Sequence, residues 1–149
     1  MIKPFDDTYF MKCALREAQA AFDKNEVPVG AVITCNNTII ARAHNLTQTL
    51  TDVTAHAEMQ VFTAASNYLG SKYLQKCTLY VTLEPCCMCA GASFWAQIGK
   101  IVYGASDEKR GFLKNNVPIH PKTKVVKGVL ETECSEIILR FFELQRKLK

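Results

Sequence analysis

The chain has no apolar run approaching the ~18 residues that a membrane-spanning helix needs. Met1-Ile2-Lys3-Pro4-Phe5-Asp6-Asp7 also lacks the apolar core of a secretion signal. No membrane partner is therefore expected, and the expected location is the cytoplasm. Glycine and proline are sparse, 7 and 5 in 149 residues, too few for a fibrous or low-complexity chain. Charged residues make up 21% against 48% apolar, the wrong balance for disorder. Nor does one sign of charge dominate: 18 Lys+Arg against 14 Asp+Glu leave +4, which permits an anionic partner such as nucleic acid without requiring one. No repeat or linker interrupts the sequence. Residues 1–149 read as a single domain, long enough to bury a core without staples.

A disulfide framework is also missing. The cysteines number 7, an odd count, and three of them, Cys86, Cys87 and Cys89, are crowded together. In a reducing compartment that layout points to metal or redox chemistry. Cys13, Cys35, Cys77 and Cys134 are scattered without metal-ligand spacing and read as small core residues or surface thiols.

Periodicity supplies the elements. Residues 7–24 carry Phe10, Ala14, Ala18, Ala21 and Phe22 on one helical face, with Asp6, Asp7 and Thr8 as candidate caps. Residues 27–33 and 38–43 are β-compatible runs around Asn36-Asn37, and asparagine tolerates the left-handed backbone of a tight hairpin. Thr54 is the expected cap of a helix over 55–69, stopped by Gly70, with Met59, Phe62, Ala65 and Leu69 buried. Residues 78–83 read as a buried strand, 86–97 as a helix with Pro85 in its first turn, and 101–103 as another strand. Residues 105–123 read as a surface loop with room for one helical turn. A last strand over 124–129 and a helix over 133–148, facing in through Ile137, Phe141, Leu144 and Leu148, complete the pattern. The predicted fold is α/β: a three-layer α/β/α sandwich on a mixed five-stranded sheet opened by an antiparallel hairpin.

Two segments carry chemistry, His56-Ala57-Glu58 and Pro85-Cys86-Cys87-Met88-Cys89, each at a predicted helix start. Cys86 and Cys89, three apart, project to one side, as two ligands of a tetrahedral ion must. Helix N-termini favour the thiolate form. His56 and Glu58 lie about 200° apart on a helix, so they share a site only off its end, with His56 as third ligand and Glu58 reaching a water at the fourth position. Two thiolates and a neutral imidazole cancel the charge of Zn2+ and acidify its water only weakly, so a nearby base is useful. Glu58 is that base: it takes a proton from the water, leaves hydroxide aimed at an electron-poor ring carbon, and passes the proton to the ring and the departing amine. Cys87 points about 100° away from Cys86 and reads as packing rather than a ligand.

H-x-E followed by P-C-x-x-C is the zinc-deaminase signature. Glu26-Val27-Pro28-Val29-Gly30-Ala31-Val32, Thr54-Ala55-His56-Ala57-Glu58, Thr82-Leu83-Glu84-Pro85-Cys86-Cys87-Met88-Cys89-Ala90-Gly91-Ala92 and Tyr103-Gly104-Ala105 extend the likeness. Together they resemble the bacterial tRNA-specific adenosine deaminases of the cytidine-deaminase superfamily. The resemblance implies conversion of adenosine to inosine at the wobble position of an arginine tRNA, with hydroxide on zinc attacking C6. It also implies one zinc per subunit, a homodimer, His56, Cys86 and Cys89 as zinc ligands, and Glu58 as proton shuttle. It assigns Asn45, and backbone groups at Ala57 and around Pro85, to the target nucleoside. Asp107 and Lys109, and the Phe141-Phe142 segment with Arg146 and Lys147, are assigned to the RNA.

Other readings compete. Lys109, Arg110, Lys114, Lys122, Lys124 and Lys127 form either a phosphate-binding strip or a solvated face. His44 and His120 read as structural. A small-molecule deaminase of the same fold, acting on guanine, cytosine or a nucleoside, would share the zinc chemistry, and Trp95 points toward guanine. A zinc-stabilised RNA-binding module without catalysis would need a fourth protein ligand.

Overall fold

Asp6 begins the first helix as its sequence suggests: its carboxylate accepts the Tyr9 backbone N–H at 2.9 Å, satisfying a donor that the helix itself leaves free. The computed structural model describes residues 5–148; residues 1–4 of the amino-terminal segment, and residue 149, lie outside them. Helix α1, Asp7–Asp23, buries Phe10, Ala14, Ala18 and Ala21 together with Met11 and Cys13. Strands β1, Gly30–Cys35, and β2, Thr38–His44, then pair antiparallel. Asn36 and Asn37, at φ 53° and 59°, make the two-residue turn whose twist suits a hairpin.

Helix α2, Ala57–Leu69, ends at Gly70 in the left-handed conformation. Strand β3, Cys77–Leu83, leads into α3, Cys87–Ala96, and β4, Lys100–Ala105; β5, Lys124–Lys127, and α4, Glu131–Lys147, follow. The sheet order is β2-β1-β3-β4-β5. β1 is antiparallel to both its neighbours, while β3, β4 and β5 are parallel.

Period-two alternation divides the sheet's side chains between two cores. Ala31, Ile33, Leu79, Val81, Ile101 and Tyr103 pack with α2 and α3 on one face. Val32, Tyr80 and Val102 pack with α1 and Cys134 of α4 on the other. This is the expected three-layer α/β/α arrangement. The carboxyl ends of β3 and β4 lie side by side, the edge at which open α/β sheets bind ligands.

Several boundaries depart from expectation. The second helix starts at Ala57 rather than residue 55 and its cap position is His56, not Thr54; Thr54 instead bonds the Asp52 carboxylate at 2.7 and 2.8 Å. Pro85 stands one residue before the cap of α3 rather than inside its first turn. The 106–123 segment is a loop of turns, as expected, without a helix, and β5 stops at Lys127 rather than residue 129. Leu69, Leu144 and Leu148, expected to face in, are 40%, 44% and 78% exposed: each sits in the last turn or at the end of its helix, where fewer neighbours pack against the stripe. Cys13, Cys77 and Cys134 are buried, and half-buried Cys35 stands opposite Cys77 in the β1–β3 register.

Candidate active site

The extended backbone just before α2 and α3 builds the centre of the site. His56 and Cys86 are the cap residues of these helices, at ψ 152° and 176°, and neither side chain caps its own helix. Freed from that task, the imidazole meets both sulfurs: His56 Nδ1 lies 3.6 Å from Cys86 Sγ and 3.5 Å from Cys89 Sγ. A tetrahedral ion with bonds of ~2.3 Å to sulfur and ~2.05 Å to nitrogen holds such ligand atoms ~3.6 Å apart. The donor set therefore fits a zinc-like cation without rearrangement. Among the described residues no fourth His, Cys, Asp or Glu joins the group. That leaves a coordination position free of protein, as a catalytic site requires and a purely structural one does not.

The electrostatics favour a cation. Hydrogen bonding from the Cys89 thiol, then from His56, pulls the Cys86 thiol down to about 4. The same Cys86 contact raises His56 above its ordinary value. Cys89 is pushed up by its bond to Cys86 and by burial. One thiolate thus stands beside two hydrogen-bond donors, whose protons an incoming metal would displace.

Glu58 is 4% exposed. Burial raises its carboxyl to about 7, opposed by the helix-end backbone N–H and reinforced by the charge of Cys86. A carboxyl poised near neutrality can take and return a proton at physiological pH. Because His56 lies outside the helix, Glu58 in the first turn faces the same pocket despite their angular separation.

That pocket, of about 230 Å³, is lined by His56, Ala57, Glu58 and Cys86 at its centre and by Val27, Val29, Asn45, Thr47 and Leu83 on its walls. Glu84, Asp107 and Arg110 complete it. Two buried carboxylates that the sequence reading did not single out hold the walls in place. Glu26, fully buried, accepts Gln48 N at 3.1 Å and Thr49 N and Oγ1 at 2.6 Å each. Glu84, 4% exposed, accepts Asp107 N and Leu113 N, each at 3.0 Å. A signal existed: each is an acid directly against an apolar run, Glu26 before Val27-Pro28-Val29 and Glu84 after β3, where a carboxylate is buried only if paired.

Asn45 is buried on the pocket wall, its amide donating to Val27 O and its oxygen accepting Thr47 N, both at 3.3 Å. Ala57 and Asp107 line the pocket, whereas Pro85 does not; the Pro85 carbonyl accepts Phe112 N at 3.1 Å. Lys109 is exposed on the Asp107 loop, outside the lining. Phe142 is 41% exposed beside buried Phe141, and Arg146 is exposed in the last turn of α4. Gln145 bonds Asn25 at 2.6 Å, which brings this helix end close in sequence to the Glu26-Val27 wall. Cys87 is exposed and outside the donor group, where packing was expected. His44 is held between Glu17 at 2.9 Å and Lys24 at 3.0 Å, a structural role.

Comparison with known proteins agrees with this geometry. The family model of the MafB19-like deaminases matches residues 5–146. A tRNA-specific adenosine deaminase of Bacillus subtilis (strain 168) is 46% identical, covering 96% of this chain and 92% of that one. Another from Aquifex aeolicus (strain VF5) is 45% identical over 93% and 95%. A solved structure from work on A-to-I editing by tRNA:A34 deaminases at the wobble position superposes with a TM-score of 0.80 at 43% identity, covering 87% of this chain and 99% of that one. A guanine deaminase of Nitrosomonas europaea, with a TM-score of 0.77 at 20% identity over 95% and 85%, shares the fold. Full-length similarity of this kind, in a chain whose donor cluster and buried carboxyl meet in one pocket, places it in the MafB19-like deaminase family and, within it, among the tRNA-specific adenosine deaminases.

Proposed function

We propose that the protein is a zinc-dependent enzyme that converts adenosine to inosine at the wobble position of an arginine tRNA, working in the cytoplasm as a homodimer with one zinc ion per subunit. The observation that carries this reading is the meeting of His56, Cys86 and Cys89 in one donor group, two of whose members, His56 and Cys86, line the same pocket as buried Glu58. Those three side chains would hold the ion through one nitrogen and two sulfurs. Zinc bound there supplies a Lewis acid that makes a water molecule nucleophilic near neutral pH.

Glu58 does the proton work. It accepts a proton as the water oxygen bonds to C6 of the adenine, and delivers it to N1, so that C6 becomes tetrahedral. It then carries the second proton of that water to the amino group. The C6–N bond breaks, ammonia leaves, and the ring is left as inosine: adenosine and water in, inosine and ammonia out. The raised carboxyl of Glu58 suits both directions of transfer. Asn45 and the backbone at Ala57 are assigned to the nucleoside, with Cys86 rather than Pro85 lining the pocket at the second helix start; Asp107, Lys109, Phe142 and Arg146 are assigned to the flanking RNA. The homodimer draws support from apolar side chains exposed on the helices that carry the centre, Tyr68 of α2 at 68% and Trp95 of α3 at 77%.

The test is incubation with an arginine anticodon stem-loop and with total tRNA, read by sequencing for A-to-G changes. Inosine at the wobble position, absent with Glu58→Ala, is the expected result. Turnover of free guanine or cytidine without any tRNA product would overturn the reading.

A further inference from the structure

The structure divides the basic residues of the carboxyl-terminal half into separate groups. Lys124 lies at the amino end of β5 and, with Lys122, borders a cleft beside Lys76 and Lys100, at the end of the sheet opposite the site. Lys114 is paired with Glu108. Arg110 alone of the set lines the site pocket. Its side chain makes no hydrogen bond or ion pair among the described residues.

The loop beneath Arg110 is held from several directions. Glu84 binds Asp107 N and Leu113 N at 3.0 Å each, three residues to either side. The Asp107 carboxylate accepts Lys109 N at 3.1 Å and Arg110 N at 3.0 Å. Asn115 donates to the carbonyls of Lys109 at 3.1 Å and Gly111 at 2.8 Å. The backbone is therefore fixed while the guanidinium is left unused. The Asp107 carboxylate makes no ion pair with that guanidinium; its backbone contacts, from Lys109 N and Arg110 N, both fall on Oδ1 and turn the loop beneath Arg110.

A base inserted with its reacting carbon against Glu58 must leave its ribose and phosphates at the rim. Guanidinium groups bind phosphate oxygens in pairs, with directional hydrogen bonds as well as charge. Resting on the deaminase reading above, we propose that Arg110 binds a backbone phosphodiester next to the flipped-out nucleotide, and so helps the enzyme select an RNA strand over a free base or nucleoside. The buried Glu84 carboxylate sets the position from which it does so.

Steady-state kinetics on an anticodon stem-loop test this across a salt series, comparing wild type, Arg110→Ala, Arg110→Lys and, as a control from the far end of the sheet, Lys122→Ala. Loss of one charged hydrogen-bonding partner predicts a KM about tenfold higher for Arg110→Ala, with the loss falling on KM rather than kcat. The slope of log kcat/KM against log salt should flatten by about 0.7, the share of one contact to a single strand. Arg110→Lys should keep the slope and recover part of the affinity, and Lys122→Ala should match wild type. Adenosine 5′-monophosphate, run in parallel, separates a lone phosphate from a strand. An Arg110→Ala effect confined to the monophosphate, a loss wholly in kcat, or a stem-loop slope equal to wild type would each overturn the proposal alone. Failure of the wild-type enzyme to form inosine in RNA would overturn the deaminase reading and this inference with it.

Discussion

Glu84 and Gly111 are fitted to one another. A Cβ added at position 111 would stand 2.3 Å from Glu84 Cδ and 2.5 Å from the Asp107 carbonyl, so the absence of a side chain at 111 is what lets the carboxylate lie under the loop and collect its two N–H groups. Gly111 also bridges to Cys86 in a short antiparallel contact, which links this loop directly to the candidate metal ligands.

Substitution at either partner should therefore be felt at the rim of the site. Gly111→Ala forces an overpacked contact and is expected to cost about 1–3 kcal/mol. Glu84→Gln leaves one loop N–H without an acceptor, for a similar loss of about 1–3 kcal/mol. Urea unfolding should show both. Zinc content measured by mass spectrometry should stay near wild type for Glu84→Gln, and a KM on a stem-loop equal to wild type would contradict the positioning role.

Glu26 should make stability depend on acid. Burial pushes its carboxyl up, but the hydrogen bonds from Thr49 and Gln48 outweigh this and hold it below its ordinary value of 4.5. A depressed folded value means that the stabilisation is fully present above about 4.5, the unfolded value, and is lost as pH falls through the lowered folded value. Glu26→Gln is expected to lose about 2 kcal/mol at neutral pH. In denaturant titrations the gap between wild type and variant should close as pH drops below 4.5. A gap independent of pH would show that the ionised carboxylate is not what holds residues 48–49.

Glu58→Gln keeps the size of the side chain and removes its ability to shuttle a proton. Deamination should fall by about 10²–10⁴-fold while the metal stoichiometry is retained. Wild-type turnover in this variant would eliminate Glu58 as the proton carrier.

The three cysteines of the cluster should differ in what they do. Cys86→Ser and Cys89→Ser are expected to lower bound zinc well below one ion per chain and to depress the melting temperature, because binding energy released on the folded state adds to its stability. Cys87→Ser, altering an exposed thiol outside the donor group, should leave both near wild type. Removing metal from the wild-type protein with a chelator should reproduce the cysteine variants, and re-addition of zinc should reverse the effect.

Much of this molecule was legible in the order of its residues, because the physics involved is short-range. Alternation along β1, β3 and β4, the Asp6 cap and the Asn36-Asn37 turn depend on neighbours a few residues away, and so does the placing of Cys86 and Cys89 on one side of a helix start. At the helix ends the same periodicity misled: Leu69, Leu144 and Leu148 continue an apolar stripe yet stay 40%, 44% and 78% exposed among the described residues. Thr54 was the better local cap, yet it bonds Asp52 and the helix begins later, with His56 at the cap position beside sulfurs 30 and 33 residues away.

Tertiary structure alone decided the rest. Whether His56 lies within ligand distance of two cysteines depends on β3 bringing the two helix starts together. Whether Glu26 and Glu84 are surface acids or buried tethers depends on loops about 20 to 30 residues further along the chain. Of six basic residues that looked alike in sequence, only Arg110 reaches the pocket. Periodicity and capping are properties of a local backbone, whereas burial, donor spacing and the partner of a charge are set by contacts between segments whose separation no pattern encodes.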